Sequence, residues 1–247
     1  MVEFKNITKS YRNKIALDNF SFKVNQNESI GIIGNNGSGK TTLINILGNL
    51  IKYEKGEIFI FNDKLDPKTN EYKKNTGFIF SYPYYIEEFN VINYLYFVAR
   101  FHSQELETKS LKKRINDLIE LLGIEEKEKP ISTFSEGNKR KVTIAASLIH
   151  NPKLLVYDEP FVNLDISTLE VLKKLLINLS NSKTLIITSH HIDLVIDICD
   201  KYLIIDNGKL IKTINKSSYK SMEELKNDLK GEVSKSNNEN SNLNWLI

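Results

Sequence analysis

Residues 34 to 41 read Gly-Asn-Asn-Gly-Ser-Gly-Lys-Thr and satisfy the phosphate-loop pattern G-x-x-x-x-G-K-[ST] at every fixed position. That spacing suits the cradling of a triphosphate by backbone N–H groups, which side chains at Gly34, Gly37 and Gly39 would obstruct. Lys40 brings a point charge to the β- and γ-phosphates, and the Thr41 hydroxyl is a hard oxygen ligand for Mg²⁺. Further along, Asp158-Glu159 ends the apolar run Leu154–Tyr157. Asp158 suits a direct or outer contact to Mg²⁺, and Glu159 can polarise an attacking water. Three more groups follow the same logic less strongly. Ser135 and Gly137 lead into a helix, whose N-terminus seeks anions. Asn163-Leu164-Asp165 and Thr188-Ser189-His190 add a carboxylate and an imidazole. Taken singly these signals are ordinary: an Asp-Glu pair after an apolar run is usually a solvated loop, a Ser and a Gly leading into a helix are an ordinary cap, and a lone His at a strand end is structural.

The elements that must position these groups are legible from periodicity. Ser29–Ile33 is a short apolar run suited to a buried strand, and Thr42–Leu47 opens a helix directly after the loop. Strand-like runs recur at Ile58–Phe61, Leu154–Tyr157, Leu185–Thr188 and Tyr202–Ile205. Helical spacing marks Leu111–Leu122, Lys139–Ile149, Ser167–Leu179 and Ile192–Ile198. This alternation predicts an α/β fold with a parallel sheet between helix layers, in which strand C-terminal tips carry the ligand site. No internal repeat occurs, and there is one phosphate loop.

Composition narrows the function classes. With 247 residues the chain can bury a proper core. The 34 Lys and Arg against 31 Asp and Glu leave a net charge of +3, which favours neither a nucleic-acid nor an acidic partner. The single cysteine, Cys199, excludes an internal disulfide and reads as a buried thiol within a helical run. No apolar run approaches the roughly 18 residues of a membrane span. Met1–Lys14 is charged throughout and lacks the apolar core of a signal peptide. From Gly231 onward Ser, Asn, Glu and Lys dominate, so 231–247 is expected to be a mobile tail after a short helix capped at Ser221. The terminal Trp245 reads as a frayed apolar end.

The ordered set of motifs resembles the ATP-binding subunit of ABC transporters from about Val2 to Lys212. Phe134-Ser135-Glu136-Gly137-Asn138 is similar to the signature LSGGQ, and Asn151-Pro152-Lys153 leads into the second nucleotide-binding strand. The resemblance implies a P-loop NTPase whose mostly parallel core sheet is flanked by helices. It also implies a small antiparallel β part near the N-terminus and an inserted α-helical subdomain at about 82–150, within a domain of residues 1–230. ATP and Mg²⁺ are the implied substrate and metal. Nucleotide contacts fall on Gly34, Asn35, Asn36, Gly37, Ser38, Gly39, Lys40, Thr41 and Thr42, and Tyr11 is the expected adenine-stacking ring. Thr41 and Asp158 hold the metal, Glu159 is the catalytic base, Asp165 belongs to the D-loop, and His190 and Lys40 act on the γ-phosphate. Ser135 and Gly137 serve a nucleotide shared with a second subunit. The implied partners are an integral membrane permease and a second copy or close relative, with no nucleic acid. The chain is expected at the cytoplasmic face of the cell membrane, as a peripheral ATPase driving transport, with export the favoured direction.

Three departures bear on activity. Ser81 stands where the family has a Gln that reaches Mg²⁺ and water, and a serine is short for that reach. The signature carries Glu136 and Asn138, and Phe161-Val162-Asn163 replaces the commoner Thr-Asn-Gly. With Lys40, Asp158, Glu159 and His190 all present, an active ATPase is expected, the alternative being a weakly or non-hydrolysing regulatory subunit. A soluble relative acting on DNA would need long heptads between loop and signature, and one acting on the ribosome would need two phosphate loops. Residues 78 to 101 hold ten of the chain's Phe and Tyr. In the family this segment meets the membrane subunit, and the competing reading is that it packs a local core.

Overall fold

The computed structural model describes residues 1–82, 85–102 and 108–235. Among the described residues ten strands follow one another: β1 (Val2–Tyr11), β2 (Lys14–Val24), β3 (Ser29–Ile33), β4 (Lys55–Ile60), β5 (Asp63–Lys64), β6 (Thr76–Ile79), β7 (Leu154–Asp158), β8 (Thr184–Ser189), β9 (Lys201–Asp206) and β10 (Lys209–Asn215). The α-helices among the described residues are α1 (Lys40–Leu47), α2 (Val91–His102), α3 (Thr108–Leu121), α4 (Glu136–Leu148), α5 (Ile166–Ser180), α6 (Ile192–Val195) and α7 (Met222–Lys235).

The main sheet runs β10-β9-β3-β8-β7-β6, with β9, β3, β8, β7 and β6 parallel and β10 antiparallel at the edge. A second, antiparallel sheet runs β2-β1-β4-β5. The expected mostly parallel sheet with an antiparallel part near the N-terminus is the observed arrangement, and α2, α3 and α4 fall between β6 and β7. Period-two alternation divides each central strand between two cores. Leu155 and Tyr157 of β7 and Leu185 and Ile187 of β8 face the cluster built with α2 to α5. Leu154 and Val156 of β7 and Ile186 of β8 face α1 and the antiparallel sheet. Strands buried on both faces read as unbroken apolar runs, which is why β3, β7 and β8 stand out in the sequence.

Three boundaries differ from the sequence expectation. Phe61 leaves the β4 ladder: Phe61 and Asn62 both take positive φ (55 and 74°) between the paired Ile60 and Asp63. That is a two-residue hairpin turn, whose twist matches the strands it joins. The 192–198 helix stops at Val195, because the carbonyl of Val195 accepts from both Ile198 and Cys199 and the chain then turns into β9. Cys199 is fully buried there, and burial pushes its thiol up. At the other end, α7 does not stop before Gly231 as expected but continues through it to Lys235. Leu225, Leu229 and Val233, at four-residue spacing, dock the helix on the core. The rest of the expected tail, 236–247 with Trp245, lies outside the described residues.

Candidate active site

The loops carrying the expected chemistry leave the C-terminal ends of β3, β8, β7 and β6, four neighbours in one parallel sheet. Because all four strands point the same way, side chains far apart in sequence meet at one edge.

After β3 the chain forms the loop 34–39 and enters α1. A Cβ on Gly34 would lie 2.3 Å from the Ile205 carbonyl oxygen, and one on Gly39 (φ 113°) would lie 2.6 Å from that of Ala16. These glycines are demanded by the protein's own packing as well as by close approach of a phosphate. Ser38 is buried beneath the loop, where its carbonyl accepts from Gly208 N–H at 2.9 Å. The Lys40 ammonium, 6% exposed, donates to the carbonyls of Gly34 (2.7 Å) and Asn35 (3.1 Å). It stands 3.9 Å from the Glu159 carboxylate. Burial lowers its pKa, while Glu159 and Asp158 act in the opposite sense.

At the tip of β7, Asp158 is fully buried. Its Oδ1 accepts from Thr188 Oγ1 of β8 at 2.5 Å, and its Oδ2 accepts from Ser81 Oγ. Ser81 Oγ is also 3.5 Å from Thr41 Oγ1. Ser81 thus touches the two side chains whose oxygens suit the metal. Glu159 takes a left-handed backbone (φ 48°), its N–H donating to Thr188 Oγ1 at 3.0 Å. Its carboxylate lies 3.0 Å from His190 Nδ1. A non-glycine residue at positive φ costs energy and persists where its surroundings over-determine it.

One cleft of about 370 Å³ is lined by Tyr11, Lys14, Ala16, Asn36, Gly37, Gly39, Lys40, Thr41, Thr42, Ser81 and Glu159. Tyr11 ends β1 opposite Lys14 and is half-exposed, with the Lys9 ammonium 5.2 Å from its ring centre. Gly34, Asn35 and Ser38 form the inner side of the loop. Ser135 and Gly137 do not line this cleft. Ser135 caps α4, accepting from Asn138 N–H at 3.3 Å, and a Cβ on Gly137 would meet the Asn163 carbonyl at 2.9 Å. Asp165 caps α5 through Thr168 N–H (2.9 Å) and lies 3.6 Å from Lys141.

Sequence reasoning missed two residues. Thr188 holds both carboxylate-bearing residues through a single hydroxyl. Arg140, 7% exposed, donates to the carbonyls of Phe80, Asp158, Glu159 and Pro160. The available signal was helical spacing: Arg140 stands four and seven residues before the buried Ile144 and Ser147. The aromatic segment divides. Tyr94 is buried and Phe89 packs edge-on against Phe97 at 6.0 Å, whereas Tyr82 and Phe101 are 81% and 73% exposed. Tyr84 lies outside the described residues.

The Thr41 and Asp158 oxygens joined through Ser81 are an all-oxygen donor set. Mg²⁺ accepts such a set, since it takes one or two carboxylates and completes its shell with waters and phosphates.

The family model for "ABC transporter" matches residues 17–162. The linearmycin resistance ATP-binding protein LnrL of Bacillus subtilis (strain 168) is 33% identical over 220 residues, covering 85% of this chain and 68% of that protein. The methionine import ATP-binding protein MetN 1 of Staphylococcus epidermidis (strain ATCC 35984) is 29% identical over 227 residues, covering 86% and 65%. The chain thus spans about two thirds of the length of these relatives. Among solved structures, the dimeric post-hydrolysis state of the ATP-binding cassette MJ0796 bound to ADP and Pi superposes with a TM-score of 0.77 at 26% identity, covering 87% of this chain and 98% of that one.

Proposed function

The chain belongs to the ABC transporter family of ATP-binding cassette ATPases, and from that premise we propose that it is a subunit hydrolysing ATP at a shared dimer site to power a separate membrane permease. The observation that carries this reading is the convergence of Lys40, Thr41, Ser81, Asp158, Glu159 and His190 in one network, in which Thr188 joins Asp158 to Glu159 by hydrogen bonds and Lys40 meets Glu159 as an ion pair.

Each group then has a role its surroundings support. The Lys40 ammonium exchanges the Gly34 and Asn35 carbonyls for β- and γ-phosphate oxygens, next to the N-terminus of α1. Thr41 and Asp158 would hold Mg²⁺, assisted by Ser81. When bound, that ion neutralises charge on the phosphates. Glu159 takes the proton of the attacking water, and His190, hydrogen-bonded to it, orients that carboxylate and meets the γ-phosphate. Tyr11 stacks on adenine at the open side of the cleft. The functional domain covers residues 1–230, with about 82–150 as its helical subdomain, and α7 carries it on to Lys235.

Ser135 and Gly137 lie outside their own chain's cleft, so they serve the nucleotide of a partner subunit, either a second copy or a close relative. Among the described residues, exposed Tyr82, Phe97 and Phe101 are the part of the aromatic segment available to a permease. Among the described residues no helix is long and apolar enough to cross a membrane, so attachment through such a partner gives a peripheral position at the cytoplasmic face. Export is the direction we infer from the signature and from the resistance protein among the relatives, although another relative is named for import.

The test pairs two variants. Glu159→Gln should bind ATP, fail to turn it over beyond a small residual single-turnover rate, and accumulate as a dimer in light scattering at saturating ATP. Lys40→Ala should keep its fold and lose ATP binding in calorimetry. A monomeric Glu159→Gln variant would overturn the shared site, and normal ATP affinity in Lys40→Ala would overturn the phosphate assignment.

A further inference from the structure

We propose that Arg140 is a positioning residue for hydrolysis: its guanidinium ties the helix beginning at Ser135 to the backbone that aims Glu159, so that the signature and the catalytic carboxylate of one chain move as one body. The proposal rests on the reading of Glu159 as the base.

The geometry is specific. Nη1 donates to the Phe80 carbonyl at 3.0 Å, Nη2 to those of Asp158 (2.9 Å) and Glu159 (2.5 Å), and Nε to that of Pro160 at 3.4 Å. Phe80 precedes Ser81, and the other three carbonyls belong to the last residue of β7 and the two that follow it. One side chain of α4 thus grips both strand tips that carry the metal-suited oxygens. Among the described residues Arg140 forms no ion pair, so all four of these hydrogen bonds go to backbone. Burial brings its pKa down to about 10, with Asp158 and Glu159 opposing that shift, so the group stays charged at neutral pH.

The consequence falls on Glu159. Its left-handed backbone is clamped at both ends: Thr188 Oγ1 accepts its N–H and Arg140 binds its carbonyl. Without the second clamp the peptide can relax toward ordinary φ, swinging the carboxylate away from His190 and Lys40. Glu159 and Arg140 also share the wall of a cavity of about 230 Å³ with Ser81, Glu136, Val162 and Asn163, which joins the signature to the catalytic side. A planar fork is needed to reach several carbonyls at once, and a lysine offers only a point charge. On the dimer reading, Ser135 and Gly137 engage one nucleotide while Glu159 takes the proton of the attacking water at the other, so Arg140 links the two sites within each chain.

The experiment uses the full chain with Arg140→Lys and Arg140→Gln, each checked for folding by circular dichroism. Native hydrolysis, absent in Lys40→Ala, first establishes the ATPase reading on its own. ATP affinity and KM should then stay within about twofold of native, while kcat falls about 10- to 100-fold, as misplacement of a reacting group by about 1 Å does. In a Glu159→Gln background, Arg140→Lys should leave the residual single-turnover rate unchanged, because the residue acts through Glu159. A folded Arg140→Lys chain with native kcat would overturn the proposal. So would an equal rate loss with and without Glu159, which marks a general scaffold. Should Arg140→Gln fail to fold, Arg140→Lys alone decides.

Discussion

Thr188→Val is the most informative single change, because it is close to isosteric and removes one hydroxyl that serves two partners. Thr188 and Asp158 are both fully buried, so water cannot replace what is lost. The bond from Thr188 Oγ1 to the Asp158 carboxylate is charge-assisted, a class worth about 1.5–3 kcal/mol. The Glu159 N–H, donated to the same oxygen at 3.0 Å, would be left unsatisfied at a further cost of about 1–3 kcal/mol. Two effects pull the total toward its lower end. Ser81 continues to donate to Asp158, and a buried methyl returns up to about 1 kcal/mol. The net expectation is a loss of about 3 kcal/mol, or roughly 6–12 °C in Tm for a chain of this size. Urea unfolding should register this as a lower midpoint at constant slope. Thr188→Ser, which keeps the hydroxyl, should lose only about 1 kcal/mol for the missing methyl. A Thr188→Val chain within about 0.5 kcal/mol of native would refute the reasoning, since it would mean that the shared hydroxyl does not organise the two acidic residues.

Ser81→Ala should lower kcat about tenfold and raise the Mg²⁺ concentration for half-maximal hydrolysis, since one hydrogen bond to a carboxylate is lost beside Thr41; an unchanged Mg²⁺ titration would count against it. His150, stacked on His102 at 3.8 Å, is held by burial at a pKa of about 4 against an ordinary 6.5. The folded state binds that proton less readily than the unfolded state, so stability present above pH 6.5 is lost as pH falls toward 4, by up to about 3 kcal/mol. His150→Gln should remove that part of the acid sensitivity in urea titrations at several pH values, and identical slopes for the two chains would exclude it. Tyr82→Glu should abolish co-purification with the membrane subunit and leave ATP affinity unchanged. Retention of the complex would remove Tyr82 from that interface.

The phosphate loop was legible because its chemistry is local: eight consecutive residues carry the backbone conformation, the lysine and the hydroxyl. The central strands were legible for a related reason, since a strand covered on both faces must be apolar at every position, as β3, β7 and β8 largely are. Asp158-Glu159 could be read as a strand tip without knowing what surrounds it. Where the turn geometry overrides propensity, as at Phe61, or where packing extends a helix, as from Gly231 to Lys235, local pattern was insufficient. The remaining features exist only through neighbours brought together by the sheet. Thr188 meets Asp158 because β7 and β8 pair in parallel with these residues opposite one another. Ser81 meets Thr41 and Asp158 because the chain after β6 converges on α1 and β7. Arg140 finds four carbonyls because α4 crosses the ends of β6 and β7. Residue type alone says what a hydroxyl or a guanidinium can bind; which atoms it does bind is decided by distances that only the folded chain sets.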